Sequence, residues 1–358
     1  MIKDNDRKLL IIHDPISPSN MSSHNLDIRQ YSYSCAIKSY SRVLYSKSYR
    51  ETVCTYKFLS RIINGVKIFL SSVRIATKAT VLQRRYKVAV FNPNEDLITF
   101  ITLLIIRKLI GQKWRLISRF ICTRDRVLLN IRPQDIGQFQ SLVKFLTSPS
   151  DKFSAETNEY ADYLSKLFNL QVTHVPYPPI DLDIGGKSTS SRKHIVLVPG
   201  AARKDKGFTE LPNLVRNLQN LNVEFEFFIQ GANKEWPGYL DVMDELQKLP
   251  RVKILPSYLS NEELSRTLQN SSVILLPYFK TSYTFRGSAF ARRGMYLGKV
   301  ILASEGTTMA NDAELWGFLA PLHKVTSTKT ISENAFENYK KGRLLAKNAK
   351  LIWDLALQ

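Results

Sequence analysis

Arg203, Lys204 and Lys206 lie between two glycines, Gly200 and Gly207, in the stretch VPGAARKDKGF at residues 198–208. The apolar run IVLV (195–198) precedes them, and a helical pattern over 208–221 follows. A strand, a glycine turn, a set of cations and a helix start form an arrangement suited to an anion. Amides at a helix start lack intrahelical acceptors and carry partial positive charge. Glycine lets backbone approach a phosphate with no Cβ in the way. Arg203 and Lys206 can add charge-assisted hydrogen bonds. Such a set can hold a diphosphate and stabilise one that is departing from a bond being broken. The spacing is neither G-x-G-x-x-G nor G-x-x-x-x-G-K-[ST], which disfavours a dinucleotide site or a P-loop. Taken alone, the stretch fits a solvated turn equally well.

The elements that would position these residues alternate regularly through the second half. Strands are expected at 195–198, 223–231, 251–255, 272–277 and 299–304, with helices at 208–221, 239–249, from Ser260 onward and at 289–297. Ser260 and Glu263 have the S-x-x-E spacing of a capping box. Short apolar strands separated by helices predict a parallel sheet covered on both faces. In the first half, strands are expected at 9–14, 86–94, 114–123 and 172–180. Helices are expected at 95–110 and 158–168, and over 50–82 with an interruption at Asn64-Gly65. The glycine- and serine-rich stretch 181–192 reads as a linker. The organisation expected is an N-terminal α/β domain over 1–184, a second α/β domain over 185–331, and an amphipathic helix over 332–358 that packs back toward the first domain.

Composition narrows the function. A chain of 358 residues, 44% hydrophobic and 11% aromatic, is globular and long enough for two domains. Its net charge of +20 is concentrated in residues 29–132, which hold 21 Lys and Arg against 4 Asp and Glu. That field suits nucleic acid, an anionic membrane surface or an anionic substrate. Tyrosines alternate with cations over 29–50, as on aromatic-basic nucleic-acid surfaces, but no nucleic-acid module follows and the second half extends no basic track. Nucleic acid is therefore disfavoured. Three separated cysteines fit neither a disulfide framework nor a metal site, and a reducing cytoplasmic setting is expected. The N-terminus has an apolar core too short for a signal peptide, and the longest uncharged apolar run, 97–106, is about half a membrane span. The segment 97–110, with Arg107 and Lys108, reads as a core helix rather than a membrane-lying one.

The stretch LLPYFKTSYTFRGSAFARRGMYLGKVILASEG (275–306) adds a strand ending in proline, a loop, a small-residue helix start and a Gly-Lys pair before the next strand. With Gly200 and Lys206-Gly207, it makes residues 194–311 resemble the nucleotide-sugar-binding domain of the retaining GT-B glycosyltransferases of the glycosyl transferases group 1 family. The resemblance implies two Rossmann-like domains with parallel sheets flanked by helices and an interdomain cleft. It implies transfer of a sugar from a nucleoside diphosphate to a glycan or lipid-linked acceptor, retaining in outcome, with no metal or other cofactor and at the cytoplasmic face of a membrane. Arg203 and Lys206 would clamp the donor diphosphate, joined by Arg286 and by the helix-start amides of Gly287, Ser288 and Ala289. Ile254, Pro256 and Tyr258 would lie by the base, and Tyr283 and Glu305 by the donor. In the first domain the family's glycine-rich turn is replaced by PISPSNMSSHNL (15–26), leaving Ser22, Ser23 and His24 as candidates, with His24 the catalytic one. The chain departs from the family in two further respects: the arginine that usually follows the first glycine is Ala201 here, so Arg203 would substitute, and a pair of carboxylates is missing. Two glutamates spaced eight apart in many members fall here at Thr284 or Phe285 and at Arg292 or Arg293.

Overall fold

The computed structural model describes residues 8–13, 16–17, 23–45, 49–50, 57–95, 97–122, 133–180, 194–220, 225–231, 236–256, 259–321 and 335–358. The expected linker at 181–192 lies outside them. The chain divides into two compact units, Met1–Pro178 with Lys350–Gln358, and Pro179–Ala349.

The first unit holds β1 (Lys8–Ile12), β2 (Ile16–Ser17), α1 (Ser23–Ala36), β3 (Arg42–Tyr45), β4 (Tyr49–Arg50), α2 (Lys57–Leu82), β5 (Lys87–Glu95), α3 (Leu97–Leu109), β6 (Arg115–Phe120), α4 (Ile136–Leu146), β7 (Lys152–Ala155), α5 (Asn158–Phe168) and β8 (Val172–His174). Among the described residues these build a six-stranded parallel sheet in the order β3-β1-β5-β6-β7-β8, while β2 and β4 pair separately. β1 lies inside the sheet and its Leu9, Leu10, Ile11 and Ile12 are fully buried, as an apolar strand covered on both faces must be. α3 is a core helix, with Phe100, Leu103, Leu104 and Arg107 buried. Its Phe100 stacks on Phe168 at 5.4 Å between ring centroids and meets Phe120 edge-on at 5.1 Å. The Arg107 guanidinium makes two 2.6 Å bonds to Asp151 and donates to the carbonyls of Trp114 and Leu146.

α2 runs through Asn64-Gly65 without the expected break. A helical glycine costs only about 1 kcal/mol, too little to end a long helix packed on α3 and β5. The strand expected to reach Ile180 stops at His174, because the prolines that follow cannot continue a ladder. His13 is wholly buried at the end of β1, its amide bonded to the Phe91 carbonyl.

The second unit holds β9 (His194–Val198), α6 (Leu211–Gln219), β10 (Phe225–Gln230), α7 (Tyr239–Lys248), β11 (Val252–Leu255), α8 (Asn261–Asn270), β12 (Val273–Leu276), α9 (Lys280–Tyr283), α10 (Ala289–Tyr296), β13 (Val300–Ala303), α11 (Thr308–Leu315), β14 (Leu319–Pro321) and most of α12 (Ala335–Leu357). Among the described residues its sheet is parallel in the order β11-β10-β9-β12-β13-β14. Successive strand residues face opposite sides. Val196, Phe227 and Val273 pack with α6 and α7, while Leu197, Ile274 and Ile301 pack with α8, α10, α11 and α12. The Ser260–Glu263 capping box forms as its spacing predicts.

α12 serves both units. Leu345, Ala346 and Ala349 join the core of the second, and a Cβ added to Gly342 would lie 2.5 Å from the Met295 carbonyl oxygen. From Lys350 onward the helix belongs to the first unit. There Trp353 is buried beneath the Arg119 guanidinium, meets Tyr31 edge-on and donates to the Pro176 carbonyl.

Candidate active site

The order of the second sheet decides where a site can form. From β9 the chain builds outward through β10 and β11, then returns to the other flank of β9 with β12. Loops leaving the carboxyl ends of β9 and β12 therefore diverge, and such a switch point is where open α/β sheets bind ligands. Those two loops carry residues 199–207 and 277–288, the two stretches singled out from sequence.

Gly200 begins the first loop at φ +96°, its amide bonded to the Gln230 side-chain oxygen at 2.8 Å. Arg203 precedes a single 3-10 turn, Lys204–Lys206, that ends at Gly207. Gly207 has φ +68°, and a Cβ there would lie 1.8 Å from the Pro277 carbonyl oxygen. Only glycine allows that approach. The contact and the 3.0 Å bond from the Phe279 amide to the Asp205 carbonyl lock the two loops together.

Side chains from both loops converge on Asp205. Arg203 donates to it through Nε at 2.8 Å and pairs with it through Nη2, while Arg286 approaches it at 3.5 Å. Burial works to raise the Asp205 carboxyl, yet the pairing with Arg203 holds it below the usual range. Arg203 also reaches the Tyr283 hydroxyl at 3.4 Å, and the Arg286 guanidinium lies 4.7 Å from the centre of the Tyr283 ring. Tyr283 and Tyr278 are both buried, with ring centres 4.5 Å apart. Burial pushes the Tyr283 phenol up to about 12 and raises Tyr278 further.

The half-buried Lys206 directs its amine under Gly200, 3.0 Å from where a Cβ would stand, and 5.3 Å from the centre of the Tyr278 ring. Burial lowers its pKa below the ordinary lysine value. Three cations thus surround one carboxylate, leaving a positive excess at a backbone-rich turn. Phe290 closes the side of this cluster, its ring edge 3.3 Å from the position of a Cβ at Gly200. Ser288 caps α10 by accepting from the Ala291 amide, and the Thr308 hydroxyl holds the Arg286 carbonyl. Gly287, Ser288 and Ala289 accordingly form the helix start beside Arg286.

The structure brings together Gly200, Arg203, Lys206, Gly207, Tyr283, Arg286 and the 287–289 helix start. It does not gather every residue singled out. Ile254 is partly buried in β11 against the α6 and α7 side of the core, Pro256 is exposed, and Tyr258 lies outside the described residues. Glu305 is exposed in the turn between β13 and α11. His24 falls in the first turn of α1, in the other unit; Ser22 and the proposed role of the His24 side chain lie outside what is described. Sequence reasoning missed Asp205. Its position inside RKDK was the available signal, since one acid among clustered cations is a natural counter-ion.

No family model matches the chain, and no curated protein matches it in sequence. Solved structures do. A glycosyltransferase from Rickettsia africae ESF-5 is 12% identical with a TM-score of 0.59, covering 97% of this chain and 93% of its own. The UDP-forming α,α-trehalose-phosphate synthase from Burkholderia xenovorans, in complex with glucose-6-phosphate, is 10% identical with a TM-score of 0.60, covering 98% of this chain and all of its own. The UDP-GlcNAc 2-epimerase from Neisseria meningitidis, bound to UDP-GlcNAc, is 13% identical with a TM-score of 0.55, covering 98% and 99%. At such low identity the likeness is one of fold. Two parallel sheets flanked by helices, ordered and covered in this way, give the chain the GT-B fold in a far-diverged sequence.

Proposed function

We propose that the protein is a glycosyltransferase that moves a sugar from a nucleoside-diphosphate donor to a glycan or lipid-linked acceptor, with retention and without a metal ion. The observation that carries the reading is the Arg203–Lys206–Arg286 cluster around a single carboxylate at the switch point of the second sheet. A sugar leaves its diphosphate with growing negative charge on the phosphate. Fixed cations in a dry site stabilise that charge most as the bond breaks. The three cations and the helix-start amides supply the charge otherwise provided by a divalent ion. Asp205 is a poor general base, because two arginines hold it ionised and occupied. A route in which the acceptor proton passes to the departing phosphate on the same face suits this arrangement, and it retains configuration.

Lys206→Ala is expected to weaken nucleoside-diphosphate binding by at least about tenfold, roughly 1.4 kcal/mol. Isothermal calorimetry on both proteins measures it, and unchanged affinity would remove Lys206 from the diphosphate site. Affinity for wild type should also fall as pH rises through the lowered pKa of the free Lys206 amine. Burial depresses the free amine's pKa, a bound anion raises it, and binding therefore draws on a protonated form that becomes scarce.

The first unit supports the membrane side of the reading. α2 contains no acidic residue; it exposes Val66, Phe69, Leu70 and Val81 among Lys67, Arg74 and Lys78. No helix among the described residues is long and apolar enough to cross a membrane. The protein should instead sediment with anionic vesicles and be released by salt, since each basic residue near such a surface contributes about 1 kcal/mol and is screened. Equal binding to neutral vesicles would point to an apolar dock, and no binding would leave the charge to solubility. A second reading, a catalytically silent partner subunit that still binds a nucleotide, draws on the absence of a carboxylate at Thr284 or Phe285 and at Arg292 or Arg293, where many members of the resembled family carry glutamates.

A further inference from the structure

Arg293 is 5% exposed in the second turn of α10, and its Nε has no hydrogen-bond partner. It forms no ion pair among the described residues. Its neighbour Arg292 is equally buried but bonds Asp312 at 2.6 Å. Asp205, the carboxylate of the cation cluster, is already shared by Arg203 and Arg286. A buried guanidinium nitrogen lacking an acceptor opposes folding, and a methionine would fill similar space without that cost. The charge therefore serves something that arrives.

Helical geometry shows from where. Gly294 turns the inner face of α10 onto Ile274 and Ile301, so the sheet side is filled by aliphatic carbons. Arg293 lies on the flank of Phe290, three positions earlier, whose ring closes over Gly200. Long helical side chains lean toward the helix N-terminus. From position 293 that direction runs back toward Phe290, Ser288 and Arg286, the end that holds the cation cluster.

We infer that Arg293 is the counter-ion for a second oxyanion on the donor, a carboxylate or phosphate carried on its sugar or its ribose beyond the diphosphate. This rests on the donor reading above. The planar fork of arginine matches both groups bidentately, so the residue selects acidic donors over neutral ones.

Calorimetry with matched pairs tests it: UDP-glucose against UDP-glucuronate, GDP-mannose against GDP-mannuronate, and ADP against its 2′-phosphorylated form. In wild type, the acidic member of at least one pair should bind about tenfold tighter or more. A sugar pair would identify the source as the sugar, and the ADP pair as the ribose. Arg293→Met should erase that preference, keep binding of the plain diphosphates UDP, GDP and ADP within about twofold, and melt no lower than wild type without ligand. Equal affinities within every pair in wild type would overturn the inference while leaving the donor reading intact. So would a parallel loss of both members in Arg293→Met, or a lower melting temperature with the preference retained. Failure of every probe to bind would overturn both.

Discussion

Arg286→Ala is expected to bind donor within a few-fold of wild type while lowering glycosyl transfer by two to three orders of magnitude, about 2.7–4 kcal/mol. Arg286 differs from Arg203 in how it is held. Arg203 grips Asp205 through two of its nitrogens, whereas Arg286 approaches the same carboxylate only at 3.5 Å and rests on the Tyr283 ring. Its backbone is fixed by the Thr308 hydroxyl, immediately before the capped start of α10. A fixed backbone with a loosely paired guanidinium suits a group that strengthens its contact as charge develops. Loss of such a contact lowers turnover more than ground-state affinity. Donor affinity by calorimetry, with transfer or slow donor hydrolysis on the same preparations, measures both quantities. Affinity and rate falling together would make Arg286 an ordinary binding residue. Wild-type protein that binds nucleotide yet neither transfers nor hydrolyses across a broad panel would favour the silent-partner reading.

Asp151→Ala is expected to destabilise the first unit by about 3–5 kcal/mol, because it leaves a buried guanidinium without its counter-ion. The side chains of Arg107 and Asp151 are 4% and 0% exposed, and the carboxylate also accepts from the amides of Leu116 and Ser148 at 2.8 Å each. One residue thus ties the end of α3, the start of β6 and the turn before β7. Denaturant unfolding should show an earlier transition for this unit, followed by a probe within it, since two units need not unfold as one. The double variant Arg107→Met/Asp151→Leu should recover much of the loss, as apolar replacements of buried pairs do. A shift below about 1 kcal/mol would mean that water reaches the pair.

The second sheet was readable in the sequence because its strands are short apolar runs divided by amphipathic helices, and burial on both faces requires that pattern. β3 (RVLY) and β7 (KFSA) were not readable. Each is four residues long, too short for a period to stand out from its surroundings, and each becomes a strand by pairing, β3 at the edge beside β1 and β7 between β6 and β8. Buried charges were equally hidden. Arg119 sits inside β6 because the Val175 carbonyl and the Trp353 ring, distant in sequence, receive it. In the candidate site, the glycines and cations could be read from spacing. Asp205 as a shared acceptor and the Arg293 Nε without a partner among the described residues could not, since both depend on how loops 199–207 and 277–288 and helix α10 come together.

The meeting of Gly207 with the Pro277 carbonyl has a consequence for any redesign of the candidate site. Every side chain other than hydrogen at 207 would place carbon within bonding distance of that oxygen, so this position is closed to diversification. Gly200 is less constrained by space, because the Lys206 amine and the Phe290 ring that face it are ends of movable side chains, although its φ of +96° still strains any replacement. Useful variation therefore lies in what surrounds the glycines outside the cation cluster, at 230, 290 and 293. The backbone turn acts there as a fixed socket, and the side chains around it are the interchangeable part.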